Sequence, residues 1–224
     1  MIYLKEKKLA YVPVPKNACT TLKTFLYKFQ NKRDFQAFQA GHKNFYIHDV
    51  YFTRAYKYWK FNDPFSEINN SDVFIFAIVR DPLSRFISSY KNRVLFHNDI
   101  GFDIVACKKC VTAGLPEKPD VNTYVQNLSF YQKVCPQILH HTLPQVHFLG
   151  PDPNFYSKIY PIKKVDSELW DDLSKIVGEA IYAPQKRMQT GGSEMVIDPL
   201  TSENLAKIKD LYAADYDFLD EIIT

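Results

Sequence analysis

Lys16, Thr20 and Thr21 fall within the glycine-free segment Pro15-Lys16-Asn17-Ala18-Cys19-Thr20-Thr21, which joins an apolar run to a helical pattern. A helix N-terminus offers unpaired N–H groups and the positive end of a dipole, so it suits phosphate or sulfate. Lys16 would add a mobile charge beside that seat, and the two threonines would add hydroxyl donors. Asn17 can adopt the left-handed backbone that a tight loop needs. Taken alone, the segment reads equally well as an ordinary strand-to-helix turn with threonine as its cap.

The ATP/GTP loop G-x-x-x-x-G-K-[ST] is absent. That loop needs glycines to wrap two phosphates and a Lys-Ser/Thr pair for Mg²⁺. Here the lysine comes early and the loop is short, which suits a single 5′-phosphosulfate and no metal.

A second segment, Arg80-Asp81-Pro82-Leu83-Ser84-Arg85-Phe86-Ile87-Ser88-Ser89-Tyr90, leaves another apolar run. Arg80 can present a planar fork to a phosphate. On the helix beginning at Pro82, the residues Leu83, Ile87, Tyr90 and Val94 form one narrow apolar stripe. Ser88 lies roughly 140° from Leu83 on a wheel of about 100° per residue, away from that stripe, where its hydroxyl could join the same anion. A surface arginine and a solvated serine would explain neither placement. Two anion sites on neighbouring strand ends match a nucleotide charged at both its 5′ and 3′ positions.

The elements that must hold these residues are legible. Leu9 to Val14 reads as a short strand, and Leu22, Phe25, Leu26 and Phe29 follow at helical spacing. Val73 to Val79 is an unbroken apolar run, typical of a strand covered on both faces. Asp81-Pro82 opens the next helix, with Asp as N-cap and Pro at the first helical position. Residues 98–120 read as loop and 121–135 as helix. His147-Phe148-Leu149 and Ser157 to Ile162 read as short strands, with helices near 166–178 and 202–221. Alternating strands and helices predict an α/β chain with a mainly parallel central sheet flanked by helices. Ligands of such sheets sit at the carboxyl ends of the strands. No repeat or linker divides the 224 residues, so 1–224 reads as a single domain, large enough to bury roughly 70% of its unfolded surface.

Composition narrows the partners. A net charge of +3 is too weak to imply nucleic acid. No apolar run approaches the ~20 residues of a membrane span, and the first residues lack a signal-peptide core, so a cytoplasmic location without stable membrane insertion is expected. The 17 Phe and 15 Tyr against 7 Gly are expected mostly in the core, with some lining an acceptor groove where ring faces meet sugars. Four cysteines are not a disulfide framework. Cys107-Lys108-Lys109-Cys110 is either half of a zinc site completed by Cys135 and His140 or His141, or a pair of unrelated thiols. A lone C-x-x-C without its second knuckle favours the thiols.

The two anion segments resemble the sulfotransferases, in particular the carbohydrate sulfotransferase group that includes the Golgi chondroitin enzymes. Pro15 to Lys23 is similar to that group's 5′-phosphosulfate loop, and Val79 to Tyr90 to its 3′-phosphate motif. His141-Thr142-Leu143-Pro144-Gln145 resembles a His-x-x-Pro-Gln segment without the aromatic that often follows the His. Leu211 to Phe218 resembles the final helix. The matches run from residue 12 to 218. The resemblance implies a P-loop-kinase-like fold and 3′-phosphoadenosine-5′-phosphosulfate (PAPS) as co-substrate, with no metal. It places Lys16, Asn17, Ala18, Cys19, Thr20 and Thr21 around the 5′-phosphosulfate, and Arg80 and Ser88 on the 3′-phosphate. Lys186 or Arg187, in a loop over 183–192, lies where relatives close over the nucleotide; a merely solubilising loop is the equal alternative. Lys163 and Lys164 read as solvated lysines. Golgi members carry an N-terminal anchor that is missing here, which suggests a bacterial-type enzyme acting on a glycan such as a surface polysaccharide, or on another hydroxyl acceptor. Oligomeric state stays open.

Sulfuryl transfer should rest on positioning and on stabilising charge at the leaving phosphate oxygen, and Lys16 is the natural electrophile. The attacking hydroxyl needs a base, most simply a histidine. His48, at the expected end of a strand between the two motifs, is the first choice and His42 the second; His141 more naturally shapes the acceptor site. Asp49 or Glu67 would serve if burial raised its pKa. Two rivals stand beside this reading: a small-molecule kinase of related fold, and a non-catalytic module binding nucleotides or sulfated glycans.

Overall fold

The computed structural model describes residues 1–40, 43–50, 72–184 and 191–223. The chain forms two compact units: residues 1–80 with 148–188 and 221–224, and residues 81–147 with 189–220.

The first unit is built on a four-stranded sheet. Its strands are β1 (Ile2–Leu4), β2 (Leu9–Val12), β5 (Phe74–Val79) and β6 (Lys158–Pro161), in the spatial order β1-β2-β5-β6. A separate hairpin, β3 (Phe38–Ala40) with β4 (Lys43–Phe45), completes the strand count among the described residues. β2 pairs with β5 in parallel, Leu9 opposite Phe74 and Val12 opposite Ala77. β5 pairs with β6 in parallel, and β1 runs antiparallel to β2. The sheet is thus mixed but mostly parallel. Its centre, β5, is the unbroken apolar run; five of its six side chains are buried, as a strand covered on both faces requires.

Helix α1 (Cys19–Asn31) seats Leu22 and Leu26 fully in this core, with Phe25 edge-on to Trp170 at 5.0 Å. Tyr11, Phe76 and Tyr160 carry the packing across the three parallel strands, with ring centroids 5.1 and 6.1 Å apart. The expected strand end at His48 is instead a short helix, α2 (Ile47–Val50), started by Asp49 accepting from the Tyr46 amide at 3.0 Å.

The second unit is helical. Its first helix, α3 (Pro82–Tyr90), begins as the sequence dictates: Asp81 caps it by accepting from the Ser84 amide at 2.7 Å, and Pro82 occupies the first turn. Its buried face is Arg85, Phe86, Ser89 and Tyr90; Leu83 and Ile87 are only partly covered, so the apolar stripe is rotated from the one expected. Phe86, Tyr124, Tyr131 and Tyr212 form the aromatic centre of this unit. Among the described residues these rings are core, whereas Phe38, Tyr46, Phe96, Phe102 and Tyr182 are exposed.

Two further segments differ from their sequence reading. Residues 98–120 hold helices Asp99–Phe102 and Ile104–Thr112, the second capped by Asp103, which accepts from the Val105 and Ala106 amides. His147-Phe148-Leu149 lies in the helical turn Val146–Leu149 rather than a strand; three apolar residues cannot distinguish the two by period.

Candidate functional site

The parallel pairing of β2 and β5 brings their carboxyl ends side by side, and each end leads into one of the two anion segments. After β2 the chain runs through Lys16 and Ala18, both in the left-handed region at φ +70° and +58°. Each such non-glycine residue costs roughly 1–3 kcal/mol, a strain that persists only where neighbours enforce it. The enforcing contact is Asn17. Its side chain is fully buried and its Nδ2 donates to the Ile78 carbonyl of β5 at 2.9 Å, while its amide donates to Val14 at 3.2 Å. Asn17 was expected to take the left-handed turn itself; its flanking residues do so, and Asn17 anchors the loop.

Residues alternating into the left-handed region turn successive N–H groups toward one concavity, a geometry that holds anions. Ala18 is the N-cap of α1 and makes no side-chain cap hydrogen bond to the first turn, which holds Cys19, Thr20 and Thr21. Arg80 follows β5 directly, on the adjacent strand tip.

Thr20 leads to a cluster that sequence reasoning reached only in part. Thr20 Oγ1 lies 3.0 Å from His48 Nε2, and Lys23 Nζ lies 3.1 Å from His48 Nδ1. Lys23, one turn beyond Thr20 on the same face, is 4% exposed. Burial pushes its ammonium below the usual lysine value, opposed by the Cys19 thiol and the Asp49 carboxylate. The signal for Lys23 was present: it stands between Leu22 and Leu26 on a helix whose apolar face they define.

The remaining candidates divide. His42, Glu67, Lys186 and Arg187 lie outside the described residues. Ser88 is half-buried on α3 in the second unit. His141 belongs to that unit too, where its Nδ1 pairs with the Gln137 carbonyl of its own helix at 2.9 Å. The surrounding His141 to Gln145 segment is held as a structural latch. The fully buried Arg85 donates to the carbonyls of His141 and Leu143, and Tyr212 donates to Thr142 at 2.7 Å. Buried Asp215 accepts from the Gln145 and Val146 amides at 2.9 Å each.

Of the cysteines in the zinc alternative, Cys107 donates to Glu117 at 3.0 Å, which raises its pKa, and burial does the same for Cys110 and Cys135. Among the described residues no group of three or more His, Cys, Asp or Glu could hold a metal ion, and no helix is long and apolar enough to cross a membrane.

A family model described as the Sulfotransferase family matches residues 1–220, nearly the whole chain. The chain belongs to the sulfotransferase family. No curated protein and no solved structure matches it. Sulfotransferase membership makes it a transferase acting on a hydroxyl acceptor with a sulfonate donor.

Proposed function

We propose that the chain transfers the sulfuryl group of PAPS to a hydroxyl of a carbohydrate-type acceptor by in-line displacement. The observation that carries this reading is the strained loop at Lys16–Ala18, locked by Asn17 onto the neighbouring strand whose tip is Arg80. Lys16 and the N–H groups opening α1 take the 5′-phosphosulfate, and Lys16 stabilises charge building on the bridging oxygen as it leaves. Arg80 takes the 3′-phosphate; Ser88 joins it on the strength of the sequence motif alone. Positive charge comes from side chains and a helix terminus, so the reaction is expected without metal. His48 is the base. Its Nε2 faces Thr20 at the mouth of the loop, where the acceptor hydroxyl must approach sulfur.

Melting curves with 3′,5′-adenosine bisphosphate in EDTA test donor identity, with stabilisation expected. Stabilisation by Mg-ATP alone would make the chain a kinase. Radiolabelled PAPS offered to a panel of glycans, lipids and small alcohols tests the acceptor, with label expected on glycan. Donor binding without label transfer to any acceptor would make it a binding module.

A further inference from the structure

Lysines are almost never buried without a partner that requires it. Lys23 is buried in the second turn of α1, and its partner is His48 Nδ1 at 3.1 Å, while Thr20 holds Nε2 at 3.0 Å. An ammonium at Nζ fixes which way this chain of hydrogen bonds runs, and only its loss opens the other direction. An ammonium only donates, so Nδ1 must accept; Nε2 then carries the ring proton, donates to Thr20 and can take no other. A neutral amine can accept from Nδ1–H, and Nε2 then holds a lone pair.

Resting on the reading of His48 as base, we propose that Lys23 is a positioning residue that sets the tautomer of His48 and receives its Nδ1 proton. As the acceptor oxygen bonds to sulfur, the bond from sulfur to the bridging phosphate oxygen breaks, and its electron pair leaves with the nucleotide. The acceptor proton passes to Nε2 and the Nδ1 proton to Nζ. The imidazole is neutral before and after, and the positive charge comes to rest on Lys23.

An amine is ordinarily the stronger base, near 10.4 against about 6.5 for imidazole, so it is a competent sink once burial has made its neutral form accessible. The titratable groups that act on Lys23 include Cys19 and Asp49, which favour the ammonium, and Lys23 in turn acts on the Met1 amine. Burial first, then Lys23, pushes that amine down to about 5.

The test is ¹⁵N NMR of histidine-labelled full chain, with the His48 signals assigned by their loss in His48→Ala. In the wild type, repulsion from the ammonium should hold the imidazolium step below its ordinary value, leaving the Nε2–H form. At higher pH, loss of the Lys23 proton should switch the ring to Nδ1–H. Lys23→Met should raise the imidazolium step by about one pH unit or more and abolish the switch. Lys23→Arg, always charged, should stay Nε2–H to the top of the range. Wild type and Lys23→Met titrating alike would overturn the inference, and that comparison decides even if the Arg variant fails to fold. The base reading fails separately: label transfer surviving in His48→Ala would remove His48 as base while leaving the spectroscopic result standing.

Discussion

The amide of Asn17 reaches across from the loop after β2 to the backbone of Ile78 in β5, tying one anion segment to the strand that carries the other. Asn17→Ala removes a fully buried donor and leaves the Ile78 carbonyl short of a partner, a loss of about 1–3 kcal/mol. A fall in melting temperature of roughly 2–10 °C is expected by calorimetry. Bisphosphate affinity should fall with it, because the left-handed turns lose the contact that enforces them. A variant that melts lower yet binds the nucleotide unchanged would separate the anchor from the site.

Arg80→Ala should weaken 3′,5′-adenosine bisphosphate by more than tenfold in titration calorimetry, since a charge-assisted hydrogen bond contributes ~1.5–3 kcal/mol. Unchanged affinity would remove Arg80 from the 3′-phosphate.

Lys16→Ala keeps a Cβ at the +70° backbone angle and deletes only the charged arm. Turnover should drop far more than donor affinity, as befits a group acting on the leaving oxygen. Equal losses in kcat and in binding would make Lys16 a binding residue. Lys16→Gly relaxes the turn as well, and its extra loss over Ala measures what the strain contributes to anion capture.

Gly192 sits at φ +83°, and an added Cβ would lie 2.5 Å from the Lys91 carbonyl at the end of α3. Gly192→Ala therefore meets both a left-handed penalty of about 1–2 kcal/mol and a backbone clash. A clear drop in the urea midpoint is expected. The neighbouring Gly191 carbonyl accepts from Asn92 at 3.1 Å, so bisphosphate affinity should be measured beside stability.

Asp172 accepts from Lys158 at 2.8 Å and from Tyr160 at 2.9 Å, and the Lys158 bond chiefly holds its carboxyl below the usual range. A carboxyl depressed in the folded state adds stability above its unfolded pKa and loses it as pH falls through the folded one. Asp172→Asn should therefore melt lower than wild type at pH 7. The gap should narrow through pH 4 and close below it; a gap independent of pH would assign the effect to packing.

What the sequence revealed followed from signals strong enough to act alone. β5 is uninterrupted apolar chain, and Asp81-Pro82 can hardly open anything but a helix. β1 is illegible because three residues carry no period, and Ile104–Thr112 because its buried face is only Ala106 and Cys110 while the bulkier Ile104, Val105 and Val111 are exposed. Of the candidate site, Lys16, Thr20, Arg80 and His48 are legible by residue type and place, whereas a lysine on a helix reads as facing water, and Lys23 is buried. In the His141 to Gln145 segment, Arg85, Tyr212 and Asp215 hold the backbone, a structural role that residue types alone do not announce.

A turn built without glycine has a further consequence. On the proposed reading, Lys16 and Ala18 take their unfavourable angles from the fold itself, held by Asn17, so the conformational freedom that a flexible phosphate loop surrenders on binding would here be given up during folding. Capture of the donor should accordingly be quick and involve little rearrangement, and release of the spent nucleotide should depend on breaking contacts rather than on the loop relaxing around it.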